Sequence, residues 1–176
     1  KIMEEALGVI ERNPWYKDGS AIVLSGNGWH HGVLGIVASR ICNMFNKPTI
    51  LISVEDGVSR GSGRSVEGVS LHFALSKCRD LLEKFGGHEL AAGLSVTRGE
   101  LDNFRLLINE YARSILTEKD MVQTVEADCV LDFSELNLSL AKSIQLLEPY
   151  GVSNPIPVFI MRGVTVAEIS GISDGK

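Results

Sequence analysis

Three short stretches concentrate the residue types that handle phosphate. Gly28-Trp29-His30-His31-Gly32 lies between an apolar run, Ala21 to Leu24, and an amphipathic stretch, Val33 to Phe45. The free N–H groups and dipole of a helix start favour an anion there, and His30 and His31 add donors. A tight strand-to-helix turn, with the tryptophan packed inward and the histidines in water, fits the same residues. Ser59-Arg-Gly-Ser-Gly-Arg-Ser65 places two arginines and three hydroxyls on seven residues. Arginine donates bidentate, charge-assisted bonds to phosphate oxygens, and glycine lets a ligand approach the backbone. A flexible surface loop is the plainer account. In Gly86-Gly-His-Glu-Leu-Ala-Ala-Gly93, His88 follows two glycines and precedes small residues that permit close approach. A lone histidine is also commonly structural.

Other chemistries lack their residues. A two-metal phosphoesterase needs several Asp and His ligands converging on ions about 4 Å apart, yet the chain has no D-x-D, Asp-His-His or H-E-x-x-H motif. Its acids are scattered over expected helix faces, and no Ser or Cys occupies a recognisable nucleophile elbow. Cys42, Cys78 and Cys129 form no C-x-x-C pair, so neither a disulfide framework nor a zinc knuckle is suggested, and a reducing cytoplasm is the natural setting.

The elements that must position these residues follow from periodicity. Ile2, Met3, Ala6, Leu7 and Ile10 mark a helix that ends before Asn13-Pro14. A strand over Ala21–Ser25 leads through the histidine loop into a helix over Val33–Phe45, with Val33, Ile36, Val37, Ile41 and Met44 on one face. Thr49–Val54 reads as a strand and Asp56-Gly57 as a turn. Ser70 can cap a helix reaching about Phe85, closed by Gly86-Gly87. Ala91–Val96 reads as a strand. Thr97-Arg-Gly-Glu100 has capping-box spacing before a helix with Leu101, Phe104, Ile108, Tyr111 and Ile115 as its core stripe. Beyond the charged run Thr117–Asp120, strands are expected over Thr124–Leu131 and Val158–Ile169, with a helix over Leu138–Leu147. Alternating strands and helices predict an α/β sandwich, followed by the start of a second domain too short for a full core of its own.

The 176 residues are 44% hydrophobic and 22% charged, which suits a globular chain. Apolar runs are strand-sized, far below the roughly 20 residues of a membrane span. A net charge of −5 argues against coating nucleic acid by bulk electrostatics while permitting a local basic cluster. The abrupt helical start at Lys1 and the turn-like Ser-Asp-Gly before Lys176 read as cuts through a longer protein.

In order and spacing, Gly28-Trp-His-His-Gly-Val-Leu-Gly-Ile-Val-Ala-Ser-Arg40, Gly61-Ser-Gly-Arg-Ser65 and Phe85-Gly-Gly-His-Glu-Leu-Ala-Ala-Gly93 resemble the RecJ family of 5′-to-3′ single-stranded-DNA exonucleases, of the DHH superfamily. Leu147-Glu-Pro-Tyr-Gly-Val-Ser-Asn-Pro-Ile-Pro-Val-Phe159 is similar to that family's entry into an oligonucleotide-binding (OB) barrel, although Tyr150 and Val152-Ser153 depart from its commoner residues. The resemblance implies a connecting helix and linker over 1–19. A DHH-associated α/β domain with a mixed, helix-flanked sheet would cover 20–117, and a partial OB-like segment 118–176.

It further implies that Ser62, Arg64 and Ser65, with Arg60 and Gly63 of the same strip, hold a 5′ end or backbone phosphate. His88, Gly86 and Gly87 would close on phosphate, and His30 would lie nearby. Manganese or magnesium would be bound by an upstream DHH domain. No catalytic or metal-ligating residue, and no cofactor, is then expected here, and the fragment alone should not hydrolyse DNA. The implied partners are single-stranded DNA and, in repair and recombination, a single-strand-binding protein and a helicase; none is a membrane. Two alternatives stand beside this one. Short-oligonucleotide or nucleotide phosphoesterases share the DHH-associated domain but usually lack the tail. Alanyl-tRNA synthetases carry such a domain as an RNA-binding appendage.

Overall fold

The computed structural model describes residues 1–55, 58–97, 99–117, 119–122 and 124–170. It divides into two compact units, Lys1–Gln123 and Thr124–Lys176. The expected turn at Asp56-Gly57 and the terminal Ser-Asp-Gly lie outside the described residues.

The first unit is built on a five-stranded mixed sheet. Its elements are α1 (Ile2–Arg12), α2 (Pro14–Asp18), β1 (Ile22–Asn27), α3 (His31–Phe45), β2 (Thr49–Glu55), β3 (Val58–Arg64), α4 (Leu71–Lys77), β4 (Leu82–Gly87), β5 (Ala91–Val96) and α5 (Leu101–Ile115). The spatial order is β1-β2-β3-β5-β4. The β1–β2 pair is parallel, joined across α3, and the remaining pairs are antiparallel. Side chains alternate across each strand and bury against two separate layers. On one face, Ile22, Leu24 and Leu51 pack with Ala6 and Ile10 of α1 and with Leu34, Val37, Ala38 and Ile41 of α3. On the other, Ile50, Ile52, Ala92, Leu94 and Val96 pack with Leu71, Ala74 and Leu75 of α4 and with Phe104, Ile108 and Ala112 of α5.

Strand β1 is an edge, and α5 supplies what a neighbouring strand would. Asn109 Oδ1 accepts from the Ala21 N–H at 3.0 Å, and one turn earlier the Arg105 guanidinium donates to the Val23 carbonyl at 3.2 Å and to Ser25 Oγ at 2.7 Å. The buried Asn109 is thereby satisfied, its Nδ2 donating to the Arg105 carbonyl.

Several expectations are corrected. The helix foreseen from Ser70 to Phe85 is α4 alone: Ser70 Oγ does cap it, accepting from the Phe73 N–H, but its buried stripe ends at Cys78. After a 3-10 turn at Arg79–Leu81, the chain becomes β4, because pairing with β5 satisfies its backbone and tertiary context overrides local propensity. Gly86 and Gly87 therefore close a strand rather than a helix. The glycine-punctuated strip, for which a surface loop was the plainer alternative, runs as the central strand β3 as far as Arg64, with Ser65 just beyond its end. In α3 the buried face is Leu34, Val37, Ala38, Ile41 and Cys42, while Val33, Ile36 and Met44 are exposed, so the expected stripe is rotated. The buried face takes in the small residues Ala38 and Cys42, which that stripe omitted. In α5, Ile115 is exposed where Ala112 is buried, and Glu100 makes no side-chain cap bond.

The second unit holds a parallel pair, β6 (Cys129–Val130) with β7 (Phe159–Ile160), and α6 (Leu138–Gln145). These strands are much shorter than the periodicity suggested. Among the described residues, none of the buried core side chains belongs to this unit. Its order comes from local bonds: Asp132 and Glu135 form a capping box, Asn137 Oδ1 caps α6, and Asn154 Nδ2 donates to the carbonyls of Leu147 and Pro149.

Candidate nucleic-acid interface

In a strand, alternate residues share a face, and directly opposed residues on an antiparallel neighbour share it too. Arg60, Ser62 and Arg64 thus project to the α3 side of the sheet, and Gly61 and Gly63 to the α4 side. A Cβ on Gly61 would stand 2.9 Å from Ile52 Cγ1 and from the Leu51 carbonyl, and one on Gly63 would stand 3.1 Å from Leu71 Cδ1. These two glycines let the α4 layer press onto the central strand.

Arg64 bends over α3. Its Nη1 donates to the Gly63 carbonyl at 2.7 Å and to Ser62 Oγ at 3.3 Å. Gly35 of α3 provides the room, since a Cβ there would be 2.8 Å from Arg64 Nη2 and 3.1 Å from Ser62 Oγ. Gly35, Ile36, Ser39, Arg40 and Arg64 line an open cavity of about 390 Å³. Burial pushes the Cys42 thiol up to about 11, against the opposing influence of Arg64. Among the described residues the ion pairs are the N-terminal amine with Glu4 and Arg105 with Asp102, so no carboxylate there neutralises Arg40, Arg60 or Arg64. An uncompensated, half-buried guanidinium flanked by a hydroxyl is suited to binding an anion.

Ser65 and His88 meet Arg64 at the same end of the sheet. Arg64 pairs with Ala91, the His88 N–H donates to the Ala91 carbonyl at 2.8 Å, and the Ser65 N–H donates to the Leu90 carbonyl at 3.0 Å. Ser65 Oγ is engaged with the Val69 carbonyl, and the His88 ring is exposed. Gly87 is required by the hairpin itself: its φ is +145°, and a Cβ would collide with the Ala91 carbonyl at 2.3 Å.

His30 stands apart from this row. It is the N-cap of α3, with Nδ1 accepting from the Gly32 N–H at 3.2 Å. Trp29 packs inward, 4% exposed, and its Nε1 donates to Glu5 Oε2 at 2.8 Å. Sequence reasoning missed Gly35, Ser39 and Arg40. Their signal was two small residues one helical turn apart beside an arginine, on a helix otherwise read only for its apolar stripe.

Among the described residues no three His, Cys, Asp or Glu side chains gather where they could hold a metal ion, so the residues present do not fit a divalent metal centre. No helix there is long and apolar enough to cross a membrane.

Residues 18–114 match the DHHA1 domain family and residues 127–176 the RecJ OB domain. The single-stranded-DNA-specific exonuclease RecJ of Bacillus subtilis (strain 168) is 33% identical over 178 residues, covering all of this chain and 22% of that protein. The RecJ exonuclease of Escherichia coli (strain K12) is 35% identical over 136 residues, covering 74% of this chain and 24% of its own. The crystal structure of RecJ in complex with Mn2+ from Thermus thermophilus superposes with a TM-score of 0.74 at 33% identity, over 90% of this chain and 23% of that one. A Mg2+ complex of the same protein gives 0.73. The chain thus spans less than a quarter of the length of these relatives. On the domain match, the order of the two domains and the superposition together, the chain belongs to the DHHA1 family, in the RecJ arrangement that follows this domain with a RecJ OB domain.

Proposed function

We propose that this chain is the substrate-gripping part of a RecJ-like 5′-to-3′ single-stranded-DNA exonuclease of the cytoplasm, acting in repair and recombination. In this reading residues 20–117 form the DHH-associated domain, residues 118–176 begin the OB-like domain, and 1–19 connect to what lies upstream. The observation that carries it is the Arg64–Ser62 pair, held over Gly35 on the central strand with no neutralising carboxylate among the described residues. Arg64 and Ser62 would take the phosphate, with Ser65 joining them by giving up its Oγ bond to the Val69 carbonyl, Arg60 and the backbone at Gly63 would border it, and Gly86, Gly87 and His88 would close on it from the β4–β5 hairpin. His30 would contribute through the α3 N-terminus that it caps. Manganese or magnesium would be held outside this chain. The grip contributes positioning and charge neutralisation. A single-strand-binding protein and a helicase are the protein partners this reading entails. The RecJ OB match favours longer strands over the short substrates of an oligonucleotide phosphoesterase.

In the full-length protein, Arg64→Ala should weaken binding of 5′-phosphorylated single strands and slow their degradation with manganese, by about 1.5–3 kcal/mol for a lost charged hydrogen-bond partner. Wild-type affinity and rate in that variant would refute the assignment. This chain alone should leave 5′-labelled single strands intact where the full-length protein degrades them.

A further inference from the structure

The first turn of α1 carries two acids that end differently. Glu4 meets the N-terminal amine in solvent, whereas Glu5 reaches the β1–α3 connection, where its Oε2 accepts from Trp29 Nε1 at 2.8 Å. Among the described residues no cation forms an ion pair with Glu5, so its carboxylate is committed to the indole. A buried tryptophan needs an acceptor for its N–H, and a carboxylate makes the stronger, charge-assisted bond.

The indole is held on its other side as well. Its ring lies on the bare backbone of Gly26, where a Cβ would fall 2.1 Å from Cε2. It belongs to the same buried layer as Ala6 and Ile10 of α1 and Leu34 of α3. Between the end of β1 at Asn27 and Trp29 there is only Gly28, at φ +68°, and His30 follows directly as the N-cap of α3. In so short a connection, the placement of the indole governs the backbone at His30. That residue opens the helix twice over: its Nδ1 accepts from the Gly32 N–H, and its carbonyl accepts from the Val33 N–H at 3.0 Å. The route from α1 to the start of α3 therefore has two links, Glu5 to Trp29 through space and Trp29 to His30 along the chain.

We propose that Glu5 is a positioning residue for the phosphate grip: by latching the Trp29 indole it fixes His30 and the first turn of α3. Helix α1 is then a working part of the grip as well as a connection. This rests on the functional reading above, in which His30 contributes through the helix start it caps, and adds to it a residue that touches no substrate. Glu5→Ala releases the indole and lets His30 drift. Glu5→Gln keeps a carbonyl oxygen that accepts from Nε1, and so keeps the latch. Because Glu5 is itself exposed, and Ala6 and Ile10 remain buried, α1 stays seated in both variants.

The test is a double-mutant cycle in the full-length protein: Glu5→Ala, His30→Ala and the pair, with Glu5→Gln beside them. Each is read as kcat/KM on 5′-phosphorylated oligothymidylate with manganese, below the Tm of every variant. Glu5→Ala should lower kcat/KM by more than about twofold, and Glu5→Gln should stay within about twofold of wild type. In the His30→Ala background, adding Glu5→Ala should cost less than about twofold, because nothing is left for Glu5 to position. A merely structural role would repeat the full loss in that background, which would overturn the proposal. Glu5→Ala within about twofold of wild type would overturn it too, as would Glu5→Gln as damaged as Glu5→Ala. Arg64→Ala measured alongside separates the two readings. Loss there with Glu5→Ala at wild-type level sinks only the positioning role, and retention in both sinks the functional reading as well.

Discussion

Towards α4, strand β3 presents Gly61 and Gly63 beneath a layer containing Leu71, Ile50 and Leu94; towards α3 it presents Arg60, Ser62 and Arg64. The first side is about contact distance within the chain. The second leaves charge unneutralised among the described residues. One strand therefore carries both a packing requirement and a binding one, separated only by the two-residue alternation of its side chains. Substitutions on the packed side should register in stability, and those on the open side in affinity.

The sharpest way to break that contrast lies in the packed layer. Phe104 is fully buried in it, and Phe104→Ala should cost about 3–5 kcal/mol in denaturant unfolding of this unit. A loss below about 1 kcal/mol would mean that the layer is not the core described. Next comes Gly61→Ala, whose added methyl would press on the Leu51 carbonyl and should cost about 1–3 kcal/mol. If it instead leaves Tm unchanged while weakening DNA binding, the two sides have been assigned the wrong way round.

The smallest effect is one of pH. Burial holds the Cys42 and Cys78 thiols up at about 11, from an ordinary 9.0. A thiol with a raised pKa favours the folded state through its protonated form. That contribution is complete below pH 9 and is lost as pH rises from 9 through about 11. A shallow decline in Tm across that window should be removed by Cys42→Ala with Cys78→Ala, measured as slope rather than as absolute Tm. At pH 8 a thiol reagent should label the exposed Cys129 first, and the other two only on unfolding.

Much of this unit was legible because single elements state their own period. Ala21–Leu24, Thr49–Ile52 and Phe104–Ile108 bury what their patterns demand. The failures share a cause. Leu82 to Gly87 looks helical when read forward from Ser70, and only its pairing with Ala92–Val96 makes it a strand. Likewise, nothing local in Ser59–Ser65 says that it lies between two partners, since glycine and serine are poor advertisements for a central strand. The motifs of the candidate site could be read, but not their faces. Which glycine is packed and which is open depends on register, and register belongs to pairs of strands. In Thr124 to Ile169 the apolar alternation overstates the strands, because the order there rests on capping bonds such as those of Asp132 and Asn137.

The bonds from Arg105 and Asn109 to β1 bear on solubility. An edge strand with outward N–H and C=O groups is a template onto which another chain can add, and β1, with Ile22, Val23 and Leu24, would be an adhesive one. By occupying the Ala21 N–H and the Val23 carbonyl, α5 closes that template from within its own chain. A damaged α5 would expose an aggregation-prone edge as well as loosening the core.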